Sequence, residues 1–249
     1  MAAVNIVQFD IFKPFHELIH AFSTRKGGFS KPPYKSLNLG LASGDNSQIV
    51  QKNRDLFFNY LSVPKDQLVF PIQIHSKNIK VVNSPGVVDK CDALISGSLN
   101  LYLTIQTADC FPVYIFDPVT KTVGIIHSGW RGAASNITGN TIRKMVEHFD
   151  IDTPNLIAAI GPGVQTQNFQ VDNLVYNLFK AKYFRTDGPE HYKMDLQQVI
   201  YDQLIDAGLN SQNIERNSDC TFENSDQYYS YRRDGKNSGR MMGVIGLKL

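Results

Sequence analysis

Residues 107–132 read TADCFPVYIFDPVTKTVGIIHSGWRG, and two runs inside this stretch decide the architecture. FPVYIFDP (111–118) and TVGIIHS (122–128) are nearly continuous in apolar and β-branched residues. That is the pattern of short strands buried on both faces, not the alternation of a half-exposed strand. Each run changes character at one end. Asp109-Cys110 precedes the first, and the second leaves its apolar stretch at His127 and enters Ser128-Gly129-Trp130-Arg131-Gly132. A connection to a helix needs only a turn there. A histidine at a strand exit, with a glycine-flanked arginine four residues on, points to chemistry as well as geometry.

Working outward, further segments read as strands. NLYLTIQTADC (100–110), up to a break at Asp109-Cys110, and NLIAAIGPGV (155–164) read as strands, the latter stopped by Gly161-Pro162-Gly163. LVFPIQIHS (68–76) predicts a strand carried through to His75; IKVVN (79–83) and DALIS (92–96) predict two more. Helical spacing appears over 46–61, through Ile49, Val50, Leu56, Phe57 and Tyr60. It recurs over 133–149, through Ile137, Thr141, Met145, Val146 and Phe149, and in two patches near 171–183 and 195–207. The final stretch QYYSYRRDGKNSGRMMGVIGLKL (227–249) predicts two strands around a turn, a terminal hairpin. Strands and helices mix without regular βαβ alternation, which predicts an α/β sandwich with a mixed β-sheet.

Composition excludes several classes. With 249 residues, 42% apolar and 19% charged, the chain is an ordinary globular sequence. A net charge of +2 with interspersed signs leaves no electrostatic footprint for nucleic acid or a membrane surface. No apolar run has the length of a membrane span, and MAAVNIVQFDIF (1–12) lacks the pattern of a signal peptide. Three cysteines, Cys91, Cys110 and Cys220, form no disulfide framework, so a cytoplasmic protein with reduced thiols is expected. The polar segment 23–46, STRKGGFSKPPYKSLNLGLASGDN, is long for a loop, and such segments are usually functional.

His75, Cys110 and His127 each stand where a predicted strand ends, the place where sites collect in layered α/β folds. Two imidazoles and a thiolate would leave one position open on tetrahedral zinc, as in a catalytic site. Their spacing matches no local zinc motif. The same residues also read as two hydrogen-bonded histidines beside a small buried thiol. A third reading is a nucleophile–base pair of Cys110 and His127. Residue types leave all three open.

Several motifs occur together in order: STRKGGFSKPPYKSLNLG, Asn53-Arg54, QIHS, CDALIS, TADCFPVYIFDP, VGIIHSGWRG, AIGPGV and YSYRRDGKNSGR. In these the chain resembles the YfiH family, also called laccase-domain or multicopper polyphenol oxidoreductase-like proteins, which includes bacterial purine nucleoside phosphorylases. The resemblance implies a single-domain three-layer α/β sandwich over residues 1–249 and zinc held by His75, Cys110 and His127. It further implies phosphorolysis of adenosine, inosine, guanosine and methylthioadenosine, with adenosine deamination as a side activity. The implied reactants are a purine nucleoside and inorganic phosphate. Copper-dependent phenol oxidation is the older label, but one His2Cys set cannot build several copper centres. Editing of peptidoglycan precursors by a cytoplasmic Cys/His amidase is a further alternative. The chain departs from the family pattern at Gly163 and Gln170, where many relatives carry a small or cysteine residue and a glutamate.

Within that reading, Cys110, His127, His75 and Asp109 are the catalytic candidates, Asp109 as proton carrier or partner of a histidine. Arg25, Asp92, Arg131 and Arg233 are the substrate-binding candidates. Gly129 and Gly132 could open the backbone at a helix start for phosphate, with Arg131 adding a bidentate contact. Blander readings stand beside these. Trp130 serves as a packing anchor, Arg131 as a surface ion-pair residue, Asp92 as a turn former, and Arg232 and Arg233 as flanks of the hairpin.

Overall fold

The computed structural model describes residues 3–249. In chain order it begins with β1 (Ile6–Val7), β2 (Leu18–Ser23), α1 (Ser47–Tyr60), β3 (Leu68–Pro71) and β4 (Ile79–Val81). Next come β5 (Gly86–Val88), β6 (Ala93–Ser96), β7 (Tyr102–Thr107), β8 (Phe111–Asp117) and β9 (Thr122–Ser128). Then follow α2 (Trp130–Ala134), α3 (Ile137–Phe149), β10 (Ile157–Ile160), β11 (Gln170–Asp172) and α4 (Asn173–Tyr176). The last are β12 (Phe184–Thr186), β13 (His191–Met194), α5 (Leu196–Asp206), β14 (Ile214–Arg216), α6 (Tyr231–Asp234) and β15 (Met241–Leu247).

The strands divide between two six-stranded mixed sheets, β1-β2-β15-β7-β3-β5 and β14-β10-β8-β9-β6-β4, with a small β11-β13-β12 sheet beside them. β8 and β9 pair antiparallel from Phe111 opposite Ser128 to Asp117 opposite Thr122. Their side chains alternate between two environments, which is why both runs are apolar throughout. Phe111, Val113 and Ile115 pack toward Ile142 and Met145 of α3 and Ile200 and Leu204 of α5. Tyr114 and Phe116 face the other sheet, against Ile105 of β7 and Ile245 of β15. On the far side of the first sheet, Met242 and Val244 meet Phe57 and Phe58 of α1.

The α/β class and mixed sheets therefore stand as expected. The layers number one more than three, because two sheets pack face to face between α1 and the α3/α5 pair. The fully buried Tyr114 crosses that seam, its hydroxyl donating to the Ala21 carbonyl at 3.0 Å. Left unpaired there, a hydroxyl would cost about 1–3 kcal/mol.

Local structure departs from the sequence reading in four places. The strand predicted through His75 ends at Pro71, and His75 adopts a left-handed φ of 56° in the following loop. The single helix predicted over 133–149 is two, α2 and α3. They are separated by left-handed Asn136 (φ 54°), whose side chain caps α3 by accepting from the Gly139 N–H. The helical patch near 171–183 is largely absent; β11 and one helical turn replace it, because Gln170–Asp172 pair with His191–Lys193.

The terminal hairpin is the fourth. Ser230 caps α6 by accepting from the Arg233 N–H, so the YRRD segment is helical. β15 finds its partners far away in sequence, β2 and β7. The long polar segment 23–46 is held to α1 by Asn53, which accepts from the Phe29 N–H at 2.7 Å and donates to Ser30, Ser36 and Asn38. Among the described residues, no helix is long and apolar enough to cross a membrane.

His20, given no role by sequence, is buried on β2 between the rings of Phe9 and Phe12. Its Nε2 accepts from the Phe9 N–H at 3.0 Å, and Nδ1 has no partner. Burial lowers its pKa from 6.5 to about 4. Above pH 6.5 the ring is neutral whether folded or unfolded, and this contribution is constant. Below it, the unfolded chain takes up a proton that the fold refuses, until the folded ring titrates near pH 4. Between pH 7 and pH 5 the loss is about 2 kcal/mol. Urea unfolding at those two pH values is expected to show a difference larger by that amount in the wild type than in His20→Gln; equal differences would refute the assignment.

Candidate metal centre and active cleft

The two central strands deliver two of the three candidate ligands. Cys110 stands just before β8, after a turn in which Asp109 takes a left-handed φ of 89°. That turn is clamped from outside the strand. The Asp109 carboxylate accepts from the Thr221 hydroxyl at 2.7 Å and the Arg232 N–H at 2.6 Å, and its carbonyl accepts from the Val164 N–H at 2.9 Å. His127 lies opposite Pro112 near the end of β9, on the face turned toward the other sheet. His75 arrives from the loop after β3. The ligand-capable atoms of the three lie within 4.8 Å of one another, and the two imidazoles meet edge to face at 4.7 Å.

Asp92 ties the cluster together. It is completely buried, and five donors converge on its carboxylate. Oδ1 accepts from the His75 N–H at 3.0 Å and faces His127 Nδ1 at 2.8 Å. Oδ2 accepts from the N–H groups of Ile74 (3.3 Å) and Ser76 (2.6 Å) and from the Ser76 hydroxyl (2.7 Å). Burial opposes the charge, but the His127 and Ser76 hydrogen bonds prevail and hold the pKa at about 2. With a carboxylate on its Nδ1, His127 carries its proton there and leaves Nε2 as a ligand lone pair. Burial also opposes charge on Cys110 and His127. Each overcomes it for the other, with the thiol pulled down by His127 and His75 and the imidazole pushed up by Cys110 and Asp92.

One thiolate and two imidazoles suit a borderline-soft divalent ion, and three donors leave a position for water or substrate. Among the described residues this is the one group of three or more such side chains placed to hold a metal. It lies on the wall of a cleft of about 630 Å³, shared with Gly40, Arg54, Phe70, Gln106, Tyr231 and Arg240.

The other predicted site residues lie elsewhere. Asp92 is buried behind His75 and His127, with both carboxylate oxygens engaged by donors of the chain itself. The Asp109 carboxylate is likewise engaged. Arg25 gives its guanidinium to the Lys35 and Ser225 carbonyls and packs on the Tyr229 ring. Arg233 bonds the Thr221, Phe222 and Tyr228 carbonyls and Asp234. Arg131 is exposed and lies over Trp130, which packs against the α3/α5 core as an anchor.

The glycines of HSGWRG have steric causes. A Cβ on Gly129 would sit 2.8 Å from the Cys110 sulfur, and one on Gly132 would press on Ile137 at 3.2 Å. Gly163 likewise gives room to the Phe111 ring, and Gln170 bonds Asp187 away from the cleft. Sequence reasoning noted Arg54 and Arg240 only as members of motifs, Asn53-Arg54 and YSYRRDGKNSGR, and gave neither a role. Nothing local marks either arginine, since the cleft forms from segments distant in sequence.

Comparison with known proteins agrees with the fold. A family described as multi-copper polyphenol oxidoreductase laccase matches residues 19–248. The chain is 29% identical over 248 residues to the purine nucleoside phosphorylase YlmD of Bacillus subtilis, covering 93% of this chain and 89% of that one. It is 32% identical over 231 residues to the purine nucleoside phosphorylase YfiH of Escherichia coli, covering 90% and 92%. The crystal structure of a Bacillus licheniformis hypothetical protein YfiH superposes with a TM-score of 0.92 at 31% identity, over 98% of this chain and 96% of that one.

Because every partner of the Asp92 carboxylate is a donor, Asp92→Asn turns an acceptor into a donor among donors. It is expected to lower unfolding stability by about 3 kcal/mol, measured by urea denaturation. It should also weaken retention of a divalent ion added to the protein, measured by competition with a chelator. Unchanged stability and ion retention would rule out the positioning role.

Proposed function

This chain belongs to the multi-copper polyphenol oxidoreductase laccase family, and on that premise we propose that it is a zinc-dependent purine nucleoside phosphorylase. The observation that carries the reading is the three-donor cluster on the wall of a nucleoside-sized cleft, in a chain whose relatives across nine-tenths of its length bear that name. Adenosine, inosine, guanosine and methylthioadenosine are the expected substrates. In the reaction a phosphate oxygen bonds to C1′ as the C1′–N9 bond breaks. The bonding pair leaves with the purine, which takes a proton and departs as free base, and the pentose 1-phosphate remains.

His75 Nε2 or Nδ1, the Cys110 sulfur and His127 Nε2 would hold the zinc. Zinc bound there supplies a Lewis acid and lowers the pKa of coordinated water. The chain's own groups do the rest. Asp92 fixes the His127 tautomer and the backbone of the His75 loop, and Asp109 fixes the turn that presents Cys110. The apolar side chains of Leu41, Phe70, Ile72 and Val87 line the cleft and offer surface to base and pentose. Deamination of adenosine at C6, with water replacing ammonia, is the expected side reaction of the same site.

Copper oxidase chemistry is disfavoured because the described residues build one three-donor group where several copper centres would be needed. A second reading, a Cys/His amidase, is favoured by one observation. Cys110, His127 and Asp92 are arranged as thiolate, imidazolium and orienting carboxylate.

One assay separates the two. Protein purified without chelators should contain about one zinc per chain. It should release free base from adenosine or inosine only with phosphate present, at least a hundredfold faster than Cys110→Ala. Absence of zinc, or base release indifferent to phosphate, would overturn the reading. A covalent acyl–Cys110 species formed with a cell-wall precursor would establish the amidase instead.

A further inference from the structure

Two arginines reach the cleft without a carboxylate paired to either, although Arg240 feels the charges of Cys110 and Asp109. Arg54 projects from α1 and is 7% exposed. Its Nε donates to the Leu39 carbonyl at 2.8 Å and its guanidinium lies 4.9 Å from the centre of the Phe70 ring. Among the described residues nothing accepts from its two terminal nitrogens, and no carboxylate pairs with it. Arg240 gives Nη1 to the Ser238 and Gly239 carbonyls and leaves Nε and Nη2 unclaimed. Its stem crosses Gly40, where a Cβ would lie 2.6 Å from the Arg240 Cγ. The two are linked through Leu39, whose N–H bonds the Arg240 carbonyl and whose carbonyl takes Arg54. Arg240 also lies within electrostatic reach of Cys110.

No aspartate or glutamate lines this cleft. A buried guanidinium is costly to keep charged unless an anion meets it. Burial lowers the Arg54 pKa only to about 10, so it remains a cation at neutral pH. We propose that Arg54 and Arg240 form an anion subsite in the cleft, and that it receives the phosphate co-substrate. A neutral nucleoside offers these groups no counter-charge, whereas phosphate presents several acceptor oxygens to a planar donor fork. The subsite replaces the one expected at Gly129–Gly132, where the helix is a single short turn and the glycines make room for Cys110 and Ile137. The identity of the anion rests on the phosphorylase reading; the existence of the subsite rests on the arginines.

The test uses the zinc-loaded full chain and three variants, Arg54→Gln, Arg240→Gln and Gly40→Ala, the last displacing Arg240 without removing charge. Calorimetric titration with inorganic phosphate should show binding to the wild type weakened at least tenfold in each variant. In turnover assays the phosphate KM should rise at least tenfold, with the nucleoside KM changed by less than about threefold. If Arg54→Gln fails to fold by circular dichroism, Arg240→Gln and Gly40→Ala decide alone. Phosphate affinity unchanged in the folded variants would overturn the proposal. Arginine-dependent phosphate binding in a protein that releases no base from any nucleoside would sustain the subsite and remove the phosphorylase reading.

Discussion

The buried carboxylate of Asp92 is the constraint on which the site depends. A charge enclosed this deeply is tolerable only where hydrogen bonds replace its water. Here the donors come from two separate parts of the chain, the loop at 74–76 and the end of β9. The backbone of the same residue extends the stitching, since its carbonyl accepts from the His127 N–H at 2.7 Å and its own N–H reaches Asn78. His75 in its left-handed conformation and His127 in its strand are thereby fixed to one group. A cluster built this way has its side chains held by hydrogen bonds within the chain itself.

What was legible in the sequence follows from where information is local. β8 and β9 announce themselves because a strand enclosed on both faces has no polar face to show. Cys110 and His127 stand out for the same reason, as polar residues at the ends of apolar runs. The division into two sheets is invisible, because the residues facing α3 and those facing the opposite sheet are equally apolar. β15 illustrates the point. Its apolar run reads as half of a terminal hairpin, while its neighbours lie more than a hundred residues away in β7 and farther in β2.

The arginines divide along a similar line. Arg25, Arg131 and Arg233 sit beside glycines, serines or other basic residues and read as anion binders. Whether a guanidinium meets a substrate or a backbone carbonyl is decided by tertiary packing, and for Arg25 and Arg233 the carbonyls take it. Arg54 hides in an amphipathic helix next to Asn53, whose amide ties residues 29–38 to that helix. Asp92 was legible as important but not in its role, since a buried acceptor of five hydrogen bonds and an exposed turn-former are the same letter.

The glycines of HSGWRG sharpen the physical picture of the cleft. A Cβ on Gly129 would meet the Cys110 sulfur, so the small residue makes room for the donor cluster. The cluster is carried chiefly by β8 and β9 of one sheet, while Arg54 and Arg240 stand on α1 and just ahead of β15, on the side of the other. Reactants in this cleft would lie across the seam between the sheets. The packing of that seam, with Tyr114 bonded across it to Ala21, therefore sets how far the two arginines stand from His75, Cys110 and His127. Core residues remote from the chemistry thus govern its geometry, and an altered seam would shift the two halves of the site without touching any ligand.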